Sequence, residues 1–378
     1  MTSPSTGAVV LKTRLWLWLL WLAGFYAVWL YLMAGLGYWS TAVAHWPMAV
    51  AMTFGSYAAG STPMGGGTVG FPVLVLLFEQ PASLGRDFSF AIQSVGMTSA
   101  AIFIMARRQP LAWATLKGAM LGTLFGTPFG IFFIAPFIPE LWIKLLFAVI
   151  WASFGLLHLL RLKEIAGHIG MTEFDERWDF KLGLWIGLLA GATVAAVTGV
   201  GIDMVLYTAL VLLCRADLKI AIPTSVVIMA FTSVLGVLVK TVSGQGLAPG
   251  VFENWLAAAP VVAIGAPLGV FIVAKIGRKP TLLVVATLCV GQFIWTLYAE
   301  QQRLGVSGMV LAVLAVTVCL VGFELLRRWG SVLVGEKETR AESAMLATAQ
   351  TANQPKPGQL TAVLRSGDLD IKDRNSDV

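Results

Sequence analysis

The chain has 378 residues, of which 57 % are hydrophobic and 12 % charged, with a net charge of +6 at neutral pH. This composition and the mean hydropathy of +0.81 are typical of polytopic membrane proteins and exclude an ordinary soluble domain. The basic residues cluster at the ends of apolar runs, which excludes nucleic acid as the reason for the positive charge. Cys214, Cys289 and Cys319 lie in or beside apolar runs, which favours free thiols over disulfides.

The first predicted element is an N-terminal transmembrane helix within residues 1–45. Lys12 and Arg14 precede Leu15–Tyr38, an apolar run rich in Trp, Leu and Tyr. Ala42–Ala44 resembles a signal-peptide cleavage site, which leaves a cleaved leader as the alternative. The run is longer than the apolar region of a signal peptide, about 7–15 residues, so a retained span is favoured.

The next segment, Trp46–Phe78, contains three consecutive glycines, Gly65–Gly67, with prolines at Pro63 and Pro72. Glycine costs roughly 1 kcal/mol and proline about 3 kcal/mol per position within a helix, so a continuous helix is not expected. A break at membrane depth is tolerated only where it is buried in protein or lines a cavity. We therefore expect two half-helices that are joined at Ser61–Gly67 and that enter and leave on one side of the membrane.

Three full spans complete a first repeat over residues 46–162: Asp87–Met105, Trp113–Phe137 and Leu141–Leu160. A charged cytoplasmic linker over residues 163–181 precedes a second repeat over residues 182–300. The second repeat opens with another broken segment, Leu182–Cys214, interrupted at Thr198–Gly201. Its full spans are Ile220–Val242, Trp255–Ile276 and Thr281–Ala299.

A last transmembrane helix is predicted within residues 301–329. Residues 330–378 become polar, mixed in charge and poor in aromatics, which predicts a disordered cytoplasmic tail. If both termini are cytoplasmic, most Lys and Arg residues at span ends face the cytoplasm, as the positive-inside rule requires. The exceptions are Arg86, Lys144, Lys240 and Arg303.

The two broken segments look like copies of each other. A constant offset aligns Gly65–Gly67 with Gly199–Gly201, and further along Gly126–Gly130 matches Gly265–Gly269. Each repeat holds three full crossings, an odd number, so the second copy must be inverted. The predicted fold class is an all-α polytopic membrane protein with two inverted repeats. Each repeat is a re-entrant hairpin plus three transmembrane helices, and an extra helix at each end brings the total to about eight full spans plus two hairpins.

Close helix packing would explain a lone pair of glycines, but paired breaks at matching positions favour a substrate site. The second arms begin near Gly67 and Gly201, so their amino ends bring free N–H groups and partial positive charge to the midplane. Such ends bind anions without a cationic side chain. The predicted substrate-binding residues are Ser61, Thr62, Gly65, Gly66, Gly67, Thr68, Gln93, Ser94, Thr198, Gly199, Gly201, Thr224 and Ser225.

Asp203 stands two residues after Gly201 and is the charged residue closest to a break. A helix cap and a proton-coupling carboxyl group are equally open interpretations. An ionised Asp203 would repel an anion, which leads to the hypothesis that its protonation is linked to transport. His45, His158 and His168 are scattered at or beyond span ends, so no metal and no other cofactor is predicted.

The glycine-rich break Gly65–Pro72 resembles the sulfite exporter TauE/SafE family, as does Gly199–Gly201 with Thr224 and Ser225 downstream. The resemblance covers about residues 46–299. It implies transport of small sulfur-containing anions, such as sulfite, thiosulfate, sulfoacetate and other organosulfonates, across the bacterial inner membrane. The Trp-rich leading span, the long tail and Thr62-Pro63 depart from the family's compact form.

The expected function is therefore secondary transport of sulfite or organosulfonates, most simply export by alternating access. An anion channel, or a permease for another small organic anion, stays open as an alternative. An integral-membrane enzyme is disfavoured, because no nucleophile–base set or metal cluster is apparent. The expected partners are the anionic substrate and membrane lipid, with a homodimer left open and no nucleic acid.

Overall fold

The computed structural model describes residues 14–276 and 278–352, with side chains as far as residue 339. These residues form helices and connecting loops and contain no strand. Nine of the helical segments described are long and apolar enough to cross a membrane. The chain divides into two compact units, Met1–Gly330 and Ser331–Val378, and the first unit holds both helix breaks.

In chain order the helices are α1 (Leu15–Leu30), α2 (Trp39–Ala44), α3 (Trp46–Ser61), α4 (Gly67–Pro72), α5 (Ala82–Ala106), α6 (Trp113–Phe133), α7 (Glu140–Ile165), α8 (Glu176–Ala190), α9 (Ala196–Thr198), α10 (Ile202–Leu213), α11 (Leu218–Val242), α12 (Val251–Ile276), α13 (Lys279–Ala299) and α14 (Gln301–Ala352). Turns of π-helix follow α1, α4 and α8 over Tyr31–Gly35, Val73–Leu77 and Gly191–Ala195, and Ala135–Phe137 forms a 3-10 turn after α6. A non-helical glycine, Gly305, kinks α14 near its start.

The predicted break in the first broken segment is present. α3 ends at Ser61 and α4 begins at Gly67. Gly67 faces Ser89 of α5, whereas Val75, later in the same arm, faces Gly85 near the start of α5. The second arm therefore runs antiparallel to α5 and returns toward the end of the molecule at which α5 begins.

The second break is also present, and two left-handed glycines form it. Gly199 has φ 79° and Gly201 has φ 98°, conformations that residues with a side chain rarely adopt. The N–H of Thr172, before α8, donates to the carbonyl of Cys214, after α10, at 2.9 Å. The chain therefore enters and leaves this segment at the same face of the protein.

The first arm of each hairpin packs on a helix from the other half of the chain. In α6 the motif Gly126–Gly130 lies against the backbone of Leu188 and then of Ala192, and in α12 the motif Gly265–Gly269 lies against α3 around Tyr57. In both pairs the contacts advance in the same direction along the two helices, so the helices are parallel. Small residues allow this close approach of backbones. Close helix packing is thus the correct explanation for these glycines.

The centre of the first unit is the pair formed by α5 and α11, the two candidate spans with the largest buried share. Lys240 of α11 contacts Asp87 near the start of α5, and Gly236 lies against Phe90 further along it. These contacts advance in opposite directions, so α5 and α11 are antiparallel.

The helix ends define two faces of the first unit. Arg14, at the start of α1, donates its N–H to the carbonyl of Ala106, at the end of α5, at 2.9 Å. We call the face at which α5 ends the basic face and the other the opposite face. The basic face carries Arg14, Arg107, Arg108, Arg161, Lys163, Arg177, Lys181, Arg215, Lys219, Lys275, Arg278 and Lys279.

The structure differs from the expected boundaries in the middle and at the end of the chain. The segment Glu176–Thr198 counts among the nine candidate spans because it is long, although it stops at the second break. Since α7 continues to Ile165 and α8 begins at Glu176, their connection is shorter than the linker expected over residues 163–181. Acidic residues in the first turn of α8 favour this early start, because they complement the helix dipole.

The predicted disordered tail begins as helix. α14 continues to Ala352, where the sequence is rich in Glu, Lys, Ala and other strong helix formers. The rest of the predicted tail, residues 353–378, lies outside the described residues.

The contact between α6 and α8 can be tested at Gly122. A Cβ there would overlap the carbonyl of Leu184, so Gly122→Ala should destabilise the protein by about 1–3 kcal/mol. Gly291→Ala on α13 is the matched control, because no atom lies within 4 Å of its Cβ position. Thermal unfolding in detergent should give a lower midpoint for the first variant only. Equal midpoints would contradict the close packing of α6 on α8.

Candidate functional site

The two breaks contact each other inside the protein. A Cβ at Gly67 would overlap the side chain of Val200 and lie 2.7 Å from Oγ of Ser89. A Cβ at Gly199 would overlap the carbonyl of Arg86 and lie 3.0 Å from Cβ of Ser89. Ser89, on α5, therefore touches both breaks, and glycine is the residue that fits at each contact.

Gln93 lies one turn further along α5 and connects the same two breaks. Its Nε2 donates to the carbonyl of Ser89 at 3.0 Å and to the carbonyl of Gly199 at 3.3 Å. Its Oε1 faces the first break, because a Cβ at Gly65 would overlap it. Gln93, one of the residues predicted to bind substrate, therefore lies beside both breaks.

Asp203 is completely buried in the first turn of α10. Its Oδ1 accepts the N–H of Met204 at 3.0 Å, whereas its Oδ2 has no hydrogen-bond partner. Oδ2 lies 3.3 Å from the Cβ position of Gly65, the glycine that Gln93 also faces. Oε1 of Gln93 has no hydrogen-bond partner either, and the backbone N–H groups of Gly65 and Gly201 lie close to the Asp203 carboxylate. Oε1 of Gln93 and Oδ2 of Asp203 can each accept a further hydrogen bond beside Gly65.

The first hairpin rests on an aromatic stack. Nε1 of Trp151, on α7, donates to Oγ1 of Thr68 at 2.9 Å. The Trp151 ring stacks on Phe147 at 3.9 Å between centroids, and Phe147 stacks on Phe71 at 4.2 Å. Trp151 also approaches the second break, since it lies 3.2 Å from the Cβ position of Gly201. This role could not be predicted from the sequence, because Trp151 stands in an unbroken apolar run.

Most of the predicted hydroxyl groups bond within their own helices. Those of Ser61, Thr62, Ser94, Thr198, Thr224 and Ser225 donate to carbonyls three or four residues earlier. Thr224 also accepts the N–H of Ala112 at 3.0 Å, at the turn into α6 near the basic face. In the described part of the chain no hydrogen bond joins Thr224 or Ser225 to either break. Their distance follows from their place early in α11, close to the basic face.

A buried ion pair that the sequence did not predict lies toward the opposite face. Nζ of Lys240 lies 2.7 and 2.6 Å from the two carboxylate oxygens of Asp87, and the two side chains are 8 % and 2 % exposed. Asp87 also accepts from Nε of Arg86 at 3.0 Å and from the N–H of Ala248 at 3.0 Å. The guanidinium of Arg86 is thus directed to Asp87, although its backbone carbonyl touches the second break.

His158 was expected at the end of a span, and this is wrong. It lies within α7, fully buried, where Nε2 pairs with the hydroxyl of Tyr207 at 3.0 Å and Nδ1 with the carbonyl of Phe154 at 2.9 Å. These two hydrogen bonds explain how an imidazole is accommodated there. Tyr207 follows Asp203 by one turn of α10, so two polar side chains share one side of that helix.

Together these features define a multi-pass helical membrane protein in which two helix breaks meet at a buried polar site, an arrangement used by secondary transporters. The chain belongs to the sulfite exporter TauE/SafE family, whose family model matches residues 48–296. This family is a family of membrane transporters, and the matched region includes both breaks and α5. No curated protein and no solved structure matches the chain.

Two variants can distinguish the steric contact between Gly199 and α5 from the strain of a positive φ angle. Gly199 and Gly170 both have positive φ, but a Cβ would meet a carbonyl at Gly199 and nothing within 4 Å at Gly170. Gly170→Ala should therefore cost about 1–2 kcal/mol of stability from strain alone, and Gly199→Ala roughly 1–3 kcal/mol more. Thermal unfolding of the two variants measures the difference. Equal losses of stability in the two variants would contradict the close contact between the second break and α5.

Proposed function

We propose that the protein is a secondary transporter that exports small sulfur-containing anions, such as sulfite or organosulfonates, by alternating access coupled to a proton on Asp203. The observation that carries the proposal is the meeting of the two breaks at Ser89 and Gln93. Membership of a sulfite exporter family supports the class of substrate. A transporter also explains why the fold contains two buried breaks, which a scaffold would not need.

The helix directions support two inverted repeats over residues 46–162 and 182–300. The first hairpin opens toward the opposite face and the second toward the basic face, while α5 and α11 cross antiparallel between them. Each repeat also offers its Gly-x-x-x-Gly helix to the first arm of the other repeat's hairpin. Rocking one repeat against the other would expose the breaks to each face in turn.

We assign the basic face to the cytoplasm of a bacterial cell, with both termini on that side of the inner membrane. The positive charges at the helix ends support this orientation through the positive-inside rule. All four basic residues expected on the outside, Arg86, Lys144, Lys240 and Arg303, form an ion pair with a largely buried carboxylate.

The substrate would bind where α4 and α10 begin. Both amino ends contribute the partial positive charge of a helix dipole, which suits a sulfite or sulfonate group. The guanidinium of Arg86, whose backbone carbonyl lies at the second break, is already paired with Asp87. Binding by dipoles and hydroxyl groups is weaker than binding by a buried cation, and this favours release on the far side.

A proton on Asp203 would satisfy the two buried acceptors at once. The protonated Oδ2 can donate a hydrogen bond, and Oε1 of Gln93 is a free acceptor beside the same glycine. Protonation would also remove the negative charge that opposes an anion at the amino end of α10. Proton binding and anion binding would therefore favour each other, which is the linkage that a coupled transporter needs.

The test is uptake of labelled sulfite and small sulfonates by proteoliposomes, with and without an imposed pH gradient. We expect saturable flux in the wild type that changes with the gradient. Asp203→Asn should keep anion flux but lose its response to pH, because the amide donates like a protonated carboxyl group but cannot titrate. Asp175→Asn, at an exposed position before α8, is the matched control and should behave as the wild type.

Two results would contradict the proposal. Flux through Asp203→Asn that still follows the pH gradient would remove Asp203 from coupling. Flux that rises linearly with anion concentration and does not respond to the gradient would favour the alternative, an anion channel.

A further inference from the structure

A cavity of about 510 Å³ opens at the basic face. It lies where α5, α7 and α12 end and where α11 and α13 begin. The charged or polar residues that line it are Gln109, Asp217, Lys219, Arg278 and Lys279. Three cations and one carboxylate give the cavity a positive balance, and the volume is sufficient for a small organic anion.

Arg278 is the least satisfied of these cations. Its Nη1 is buried and has no hydrogen-bond partner in the part of the chain that the structure describes. Burial lowers the pKa of Arg278 to about 10 and Asp217 opposes this shift, so the guanidinium remains charged at neutral pH. A charged donor without a partner is costly unless an anion or water completes it.

The opposite face has no such opening at the corresponding helix junction of the part of the chain that the structure describes. There the start of α7 meets the start of α5, because the carboxylate of Glu140 accepts the N–H of Ser83 at 3.1 Å. Lys144 and Glu300 form an ion pair at 2.5 Å on the same side. In the proposed repeats, α11 and α13 are the counterparts of α5 and α7, and it is their starts that line the cavity. The same junction is thus sealed on one face and open on the other.

We propose that this cavity is an anion-binding vestibule, in which Arg278 receives a sulfite or sulfonate group from the cytoplasm before the anion reaches the breaks. The inference rests on the proposed function for its substrate class. The guanidinium can bind two oxygens of such a group at once, which a lysine ammonium does not do as well. A lipid phosphate has related chemistry, so the experiment must separate the two sources.

The first test measures binding rather than transport. Calorimetric titration of a small alkyl sulfonate into the protein in zwitterionic nanodiscs should give saturable binding. Arg278→Gln should weaken it roughly tenfold, as expected for the loss of one charge-assisted interaction. The control is Arg177→Gln, which removes an exposed arginine on the same face away from the cavity and should leave the affinity unchanged.

Nanodiscs that contain anionic phospholipid identify the source of the anion. Unchanged sulfonate affinity supports a vestibule for the free anion. Sulfonate binding that disappears in anionic nanodiscs, in an Arg278-dependent manner, would show a lipid site and overturn the proposal. Equal affinities of the wild type and Arg278→Gln would overturn it as well.

A second variant leaves Arg278 in place. Ala166→Cys puts a thiol in the wall of the cavity, and Cys319→Ser removes the native cysteine that is not fully buried. An anionic thiosulfonate reagent should then modify the thiol several-fold faster than a cationic one, and the excess should fall when sulfonate is added. A preference for the cationic reagent would contradict the vestibule. Arg278-dependent binding without any flux in proteoliposomes would leave the vestibule standing and reject the proposed transport.

Discussion

The structure depends on one constraint: backbone groups at a helix break cannot be left to lipid, so the protein itself must cover them. Each break is covered by the other and by α5. Val200 fills the space beside Gly67, and the Gln93 amide caps the carbonyl of Gly199. Oγ1 of Thr198 bonds the carbonyl of Val200 at 3.0 Å within the second break. The contact that shields the backbone of both breaks from lipid also brings the amino ends of α4 and α10 close together.

Much of the fold could be predicted because it follows from local sequence patterns. Glycines and prolines in an apolar run mark the break at Ser61–Gly67, and its offset copy marks the break at Thr198–Gly201. Helix length was harder to predict, since polar residues at a helix end resemble a loop. The polar start of α8 at Glu176 was therefore assigned to the linker. In the same way, α14 continues through a polar sequence of good helix formers that was expected to be disordered.

The site could be predicted only in part, because its side chains are paired across long separations. Gln93 and Asp203 were recognised as polar residues near the breaks, but nothing local indicated that they share Gly65. Asp87 and Lys240 are 153 residues apart and look like two ordinary charges near span ends. Proximity along the sequence also misleads, since Thr224 follows the second break yet lies near the basic face. The closed opposite face and the open basic face likewise emerge only from three-dimensional contacts.

The central claim is that the anion crosses where the two breaks meet, and Ser89 is one of the side chains that touch both. The most direct measurement is the reaction of Ser89→Cys, in a protein without its native cysteines, with an impermeant anionic thiosulfonate reagent in proteoliposomes. The account predicts reaction from either side of the membrane, and slower reaction when a small alkyl sulfonate is present. A transport-active variant whose thiol reacts from neither side, or that sulfonate does not protect, would contradict the claim.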